Sequence, residues 1–278
     1  EVAKLPVSHE KGFGFGNSTK KRAAGDCTFT AWGTQITSSP GLVGTVPEKR
    51  LLTALIVMYI VSLPFVFVGV LRKVLGLLVH PFMHSRTHFS SLHRIYKWIL
   101  SVDDTIAHRW PVDIKNELLF AGLLLPISAT NIRAQLSNRI TATDATPSSG
   151  GAAEMYGSRA LVAAIYQAAE HRGFHTYLPS LEVSHMSFGN RFRAYENDPV
   201  ISTLGSTGPW RAIRSADYES QHVNLQELRE IIVELKRLCK TEMNPLKQTN
   251  LTDSAVSLGA WGRGRSSSLK INGLMRES

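Results

Sequence analysis

Asp144, Glu227 and Asp253 are the residues whose surroundings best suit them to chemistry. Ile140, Ala142 and Asp144 alternate with Thr141 and Thr143, so a period-2 strand carries Asp144 on the face of two apolar residues, at its exit. Pro147 and Gly150-Gly151 then turn the chain. Asn250-Leu-Thr-Asp253 repeats the pattern, a strand ending in aspartate that runs into Ser254–Trp261. Between them, Asn224–Leu238 reads as an amphipathic helix in which Leu225, Leu228, Ile231, Ile232, Leu235 and Leu238 make the apolar stripe and Glu227 projects beside it. Clustered carboxylates of this kind hold two Mg²⁺ ions about 4 Å apart, one activating water and one stabilising a leaving oxygen. Singly, each has a plainer role. Asp144 suits an Asx turn, Glu227 the capping box opened by Asn224, and Asp253 the N-cap of the helix that follows.

A second group could touch a substrate. In Gly259-Ala-Trp-Gly-Arg-Gly-Arg-Ser-Ser-Ser268, Gly262 and Gly264 permit close backbone approach, and Arg263 and Arg265 supply charge. Ser266, Ser267 and Ser268 can donate to phosphate oxygens or cap a final helix.

The flanking phrases add a resemblance. Ala142-Thr-Asp144-Ala-Thr-Pro147, Val223-Asn-Leu-Gln-Glu227-Leu-Arg229 and Thr252-Asp253-Ser254 through Ser268 resemble the RNase H-like domain that follows the reverse transcriptase of retroelements, DIRS-type elements in particular. Leu5–Lys11 and Thr28–Thr34 look like the end of a reverse-transcriptase palm. The resemblance implies an α/β fold: an RNase H-like mixed sheet with flanking helices over 131–278, preceded by an α-helical thumb/connection region over 51–130 and a small β-rich palm remnant over 1–50. It implies that the chain is a fragment of a polyprotein, cut within the palm and after the third carboxylate. Asp144, Glu227 and Asp253 would be catalytic metal ligands for Mg²⁺, two ions, with Mn²⁺ as a substitute. The activity implied is endonucleolytic cleavage of RNA in an RNA–DNA hybrid, with the hybrid and the rest of the polyprotein as partners. A degenerate, binding-only domain is the alternative.

Composition agrees with a polyanionic partner. The net charge is +9 and the pI about 9.7, which favours nucleic acid or an anionic membrane. Cys27 and Cys239 are the only cysteines, which excludes a disulfide framework and a thiolate metal cluster and points to a reducing intracellular compartment, cytoplasm or nucleus.

Several stretches must position these groups. Leu51 to Leu71 holds no charged residue and is bracketed by Lys49-Arg50 and Arg72-Lys73. It reads either as a membrane span or as two buried helices, Leu51–Ser62 and Phe65–Val79, divided at Pro64; the first would make this a single-pass membrane protein. His80, His84 and His88 share i, i+4 spacing, which suits a metal or, with Arg86, Arg94 and Lys97, a basic helix face. Asp103-Asp104 reads as a loop or capping pair, and Trp110-Pro111 opens a helix ended by Pro126. Ser158 caps a helix over Arg159–His171. Across 174–220, Arg191, Arg193, Arg211 and Arg214 interleave with Phe188, Phe192, Tyr195 and Trp210, either a nucleic-acid clamp or a surface insertion. Gly12–Gly16 reads as a loop or hairpin rather than a phosphate cradle.

Overall fold

In the computed structural model the fold is mixed α/β; residues 27–168, 204–205, 208–242, 244 and 246–277 are described. The palm-like phrase Leu5–Lys11, the Gly12–Gly16 loop and the arginines and aromatics of 188–195 lie outside them.

The described residues open with β1 (Thr28–Ala31), β2 (Thr34–Thr37) and β3 (Leu42–Thr45), an antiparallel meander completed by β6 (Ala129–Asn131) against β3. The small sheet is thus closed by a strand from beyond the helical region.

Helix α1 (Pro47–Ser62) ends where Leu63, held at φ −70°, ψ 146°, precedes Pro64. A residue before proline is pushed to the extended region, so a continuous span through residue 71 is broken there. β4 (Phe65–Phe67) pairs with β5 (Ala107–Arg109), and only then does α2 (Val68–Phe82) begin. Among the described residues no helix is long and apolar enough to cross a membrane. With α3 (His93–Ser101) and α4 (Val112–Leu124), α1 and α2 enclose a core of Val57, Leu71, Leu78, Phe82, Ile95 and Leu118. Each such side chain contributes about 1.5–3 kcal/mol on burial.

His80 and His84 are occupied in seating α2 on the small sheet. The His80 imidazole bonds the Thr45 hydroxyl at 2.6 Å and His84 that of Thr34 at 3.2 Å, while His88 reaches Ser128 at 3.0 Å. The metal expectation therefore gives way to hydroxyl anchoring. The other loop acids are also accounted for: Asp103 accepts from the Thr105 backbone and hydroxyl, and Asp104 pairs with Arg72.

The second sheet has the order β10–β7–β8–β9. β7 (Gln135–Ala145), β8 (Ser149–Tyr156) and β9 (Arg211–Asp217) run antiparallel in succession. The chain then crosses over through α6 (Val223–Thr241), and β10 (Leu246–Leu251) lies parallel to β7. Parallel neighbours require such a crossover. One face packs Ile140 and Met155 against Val162 and Ile165 of α5 (Arg159–Ala168) and against Leu204. The other face meets α6. Beyond it, Leu225, Leu228 and Ile232 of α6 pack on Ala260 of α7 (Ala255–Arg263) and on Ile271 and Met275 of α8 (Leu269–Arg276).

Residues 211–217 are thus an integral edge strand and no surface insertion. Arg214 is drawn in to the buried Glu230, whereas Arg211 stays largely exposed while bonding Glu154 at 2.5 Å.

Candidate functional site

The parallel pair brings two of the three carboxylates level. Leu251 of β10 faces Ala142 of β7, and two residues further along each chain stand Asp253 and Asp144. Both are exposed. Asp144 ends its strand opposite Gly151, and its Oδ1 accepts the Ala145 amide at 2.7 Å. That short bond fixes the carboxylate and leaves Oδ2 without a partner among the described residues. Asp253 does not cap α7. Ser254 does, its hydroxyl accepting the Ser257 amide at 3.1 Å.

Glu227 approaches from another layer. α6 is capped by His222, whose ring accepts the Asn224 amide at 3.3 Å, so Asn224 opens no capping box. Strand alternation decides which face α6 covers. A Cβ at Gly150, opposite Ala145, would meet Glu230 of α6, and Glu154, opposite Thr141, bonds Arg237 of α6 at 3.0 Å. Odd-numbered residues of β7 therefore look at α6, and Asp144 lies on the α5 face. Glu227 is half-buried on the far side of the sheet from it.

Asp144, Glu227 and Asp253 make no ion pair among the described residues, whereas Glu117, Glu154, Glu230 and Glu234 are all paired. Three unpaired carboxylates are a hard-oxygen donor set of the sort Mg²⁺ takes. Among the described residues, however, no three His, Cys, Asp or Glu side chains draw close enough to hold a metal. Asp144 and Asp253 fit by donor chemistry and stand just beyond the last residues at which β7 pairs with β10; Glu227 approaches from the other layer.

The face of α6 on the sheet is unlike anything the apolar stripe announces. Gln226, Glu230 and Glu234 recur at four-residue spacing and are buried, the two glutamates at 0% and 1% exposure. With Glu154, 3% exposed, they meet Arg139, Arg211, Arg214 and Arg237. Burial pushes the Glu154 carboxyl up, but hydrogen bonds from Arg211 and Arg237 and the charge of Arg139 outweigh it and hold the group below its ordinary range. The Gln226/Glu230/Glu234 spacing was visible in the sequence; the layer it joins, where Glu154 bonds Arg211 and Arg237 from 57 and 83 residues away, was not.

The Gly259–Ser268 segment is held from within the molecule. Gly264 terminates α7 in the left-handed region at φ 72°, and a Cβ there would strike the Arg86 carbonyl. Its close approach is to its own chain, not to a substrate. Arg86 Nη1 donates to the Gly262 carbonyl at 3.0 Å. Arg263 turns back to the Gly259 carbonyl at 2.9 Å, whereas Arg265 is exposed and lies over the Tyr96 ring at 5.8 Å. The Ser266 amide donates to Asn272 Oδ1 at 2.7 Å, Ser267 is exposed, and Ser268 caps α8.

No family model, curated protein or solved structure matches the chain.

Proposed function

We propose that residues 135–277 form an RNase H-like unit of a retroelement reverse transcriptase, acting on the RNA strand of RNA–DNA hybrids at the carboxyl ends of β7 and β10. The observation that carries this is topological. Three antiparallel strands in chain order, a crossover helix and a fourth strand parallel to the first leave Asp144 and Asp253 at adjacent strand ends. Open α/β sheets bind their ligands outside the carboxyl ends of parallel strands.

Asp144 and Asp253 would hold a divalent cation, which supplies a nucleophilic hydroxide near neutral pH and stabilises the departing oxygen. The bond from Ala145 to Asp144 Oδ1 keeps that side chain from swinging away when the polyanion arrives. Selection of RNA would rest on its 2′-hydroxyl and on the A-like minor groove.

The placement of Asp144 on the face away from α6 favours a second reading, a binding module that holds the hybrid without cutting it. One experiment separates the two. The full chain and its Asp144→Asn and Asp253→Asn variants are mixed with a labelled hybrid in Mg²⁺. The nuclease reading predicts that each variant loses cleavage by at least about 100-fold with hybrid affinity held. Tight hybrid binding with no turnover in the unaltered chain would select the binding module, and full cleavage by both variants would refute the assignment of the pair.

A further inference from the structure

The helical region and the RNase H-like unit meet along a seam made by α3 and α8. Asn272 of α8 is fully committed there: its Nδ2 lies 2.8 Å from His93 Nδ1 and 2.8 Å from the Ser266 carbonyl, and its Oδ1 takes the Ser266 amide. Arg276 of the same helix faces the buried Glu117 of α4 at 3.8 Å. A groove of about 350 Å³ opens beside these contacts, lined by His93, Arg94, Lys97, Trp98, Asp113 and Leu269 among others. Asp113 is taken up by Arg94 at 2.9 Å, so it neutralises that arginine and no other. Lys97 is exposed and unpaired among the described residues, as is Lys270, next to Leu269. The groove thus has an apolar floor containing an indole and a rim with surplus positive charge. Burial first, then the positive charges of Lys97, Arg276 and Arg94, hold the His93 imidazole below its ordinary range, an internal sign of that local field.

We infer that this seam is a second nucleic-acid contact, taking the single-stranded extension of a bound hybrid with its phosphates on Lys97 and Lys270 and a base against Trp98. The inference rests on the proposed function, since it needs a hybrid on the neighbouring sheet. The occupant follows from chemistry: a cationic rim attracts a polyanion, and an aromatic wall receives a base's π-face regardless of sequence. A groove of this size takes a nucleotide, not the width of a duplex.

The test compares full-chain affinity for a blunt RNA–DNA hybrid and for the same hybrid bearing a single-stranded extension of about ten nucleotides, over a salt series. The unaltered chain is expected to bind the extended hybrid roughly tenfold more tightly. Lys97→Glu/Lys270→Glu is expected to erase that preference and flatten the salt slope for the extended hybrid by about two units, leaving blunt-hybrid affinity unchanged. Both lysines are exposed, and a thermal melt of the variant checks that it is folded. Equal affinity for the two hybrids, or a preference that survives the double variant, would overturn the seam while leaving the proposed function standing. Failure to bind either hybrid would overturn both.

Discussion

Asp144 and Gly264 illustrate how differently two residues of the predicted site can be used. The bond from Ala145 holds Asp144 at the strand exit, so its carboxylate is presented rather than spent. Gly264 works inside the protein, because its positive φ and the Arg86 carbonyl together leave no room for a side chain. Gly264→Ala is therefore expected to lower stability by about 1–3 kcal/mol, read as a shift in the urea midpoint with an unchanged slope. An unshifted midpoint would show that the loop relaxes at no cost. At this scale the sequence was partly legible. The strand carrying Asp144, the cap at Ser158 and the terminating role of Pro64 follow from local pattern, and the structure bears them out, whereas β10 ends at Leu251, two residues before Asp253. The capping of α6 by His222 and of α7 by Ser254 did not follow, because neighbouring Asn224 and Asp253 are equally good cap residues and only backbone geometry chooses.

At the scale of elements, α6 carries two faces with opposite chemistry. Of its apolar stripe, Leu225, Leu228 and Ile232 pack on α7 and α8. The sheet receives a buried layer of Glu154, Glu230 and Glu234 with their arginines. Periodicity reports which residues share a face; it does not say which neighbour that face meets. Taking one partner from a buried ion pair leaves an uncompensated charge, so Glu154→Gln is expected to cost about 3 kcal/mol at neutral pH. The sign with pH follows from the depressed folded-state carboxyl. Its contribution is present above the unfolded pKa and is lost as pH falls through the lower folded value. The gap between variant and unaltered protein should thus hold at neutral pH and close as pH falls through the ordinary carboxylate range and below it, followed by urea unfolding at several pH values. A gap that is constant in acid would mean that Glu154 acts through packing alone.

For the whole molecule, the two regions are joined by polar contacts: Arg86 to Gly262, His93 to Asn272, and Arg276 beside Glu117. Those contacts link residues up to 179 positions apart, and no local pattern announced them. They set the loop predicted to touch substrate, Arg263–Ser267, against α3, so that of its residues Arg265 remains directed to the surface while Ser266 is tied down. A basic chain of this kind should bind hybrids with an affinity that falls steeply with salt. The measurement that bears most directly on the whole account is cleavage of an RNA–DNA hybrid by the full chain in Mg²⁺, with the RNA strand labelled in one reaction and the DNA strand in another. The account predicts internal cuts in the RNA alone, with 3′-hydroxyl ends. Both strands surviving intact, with the hybrid bound, would contradict the assignment of Asp144 and Asp253 as the centre of a nuclease.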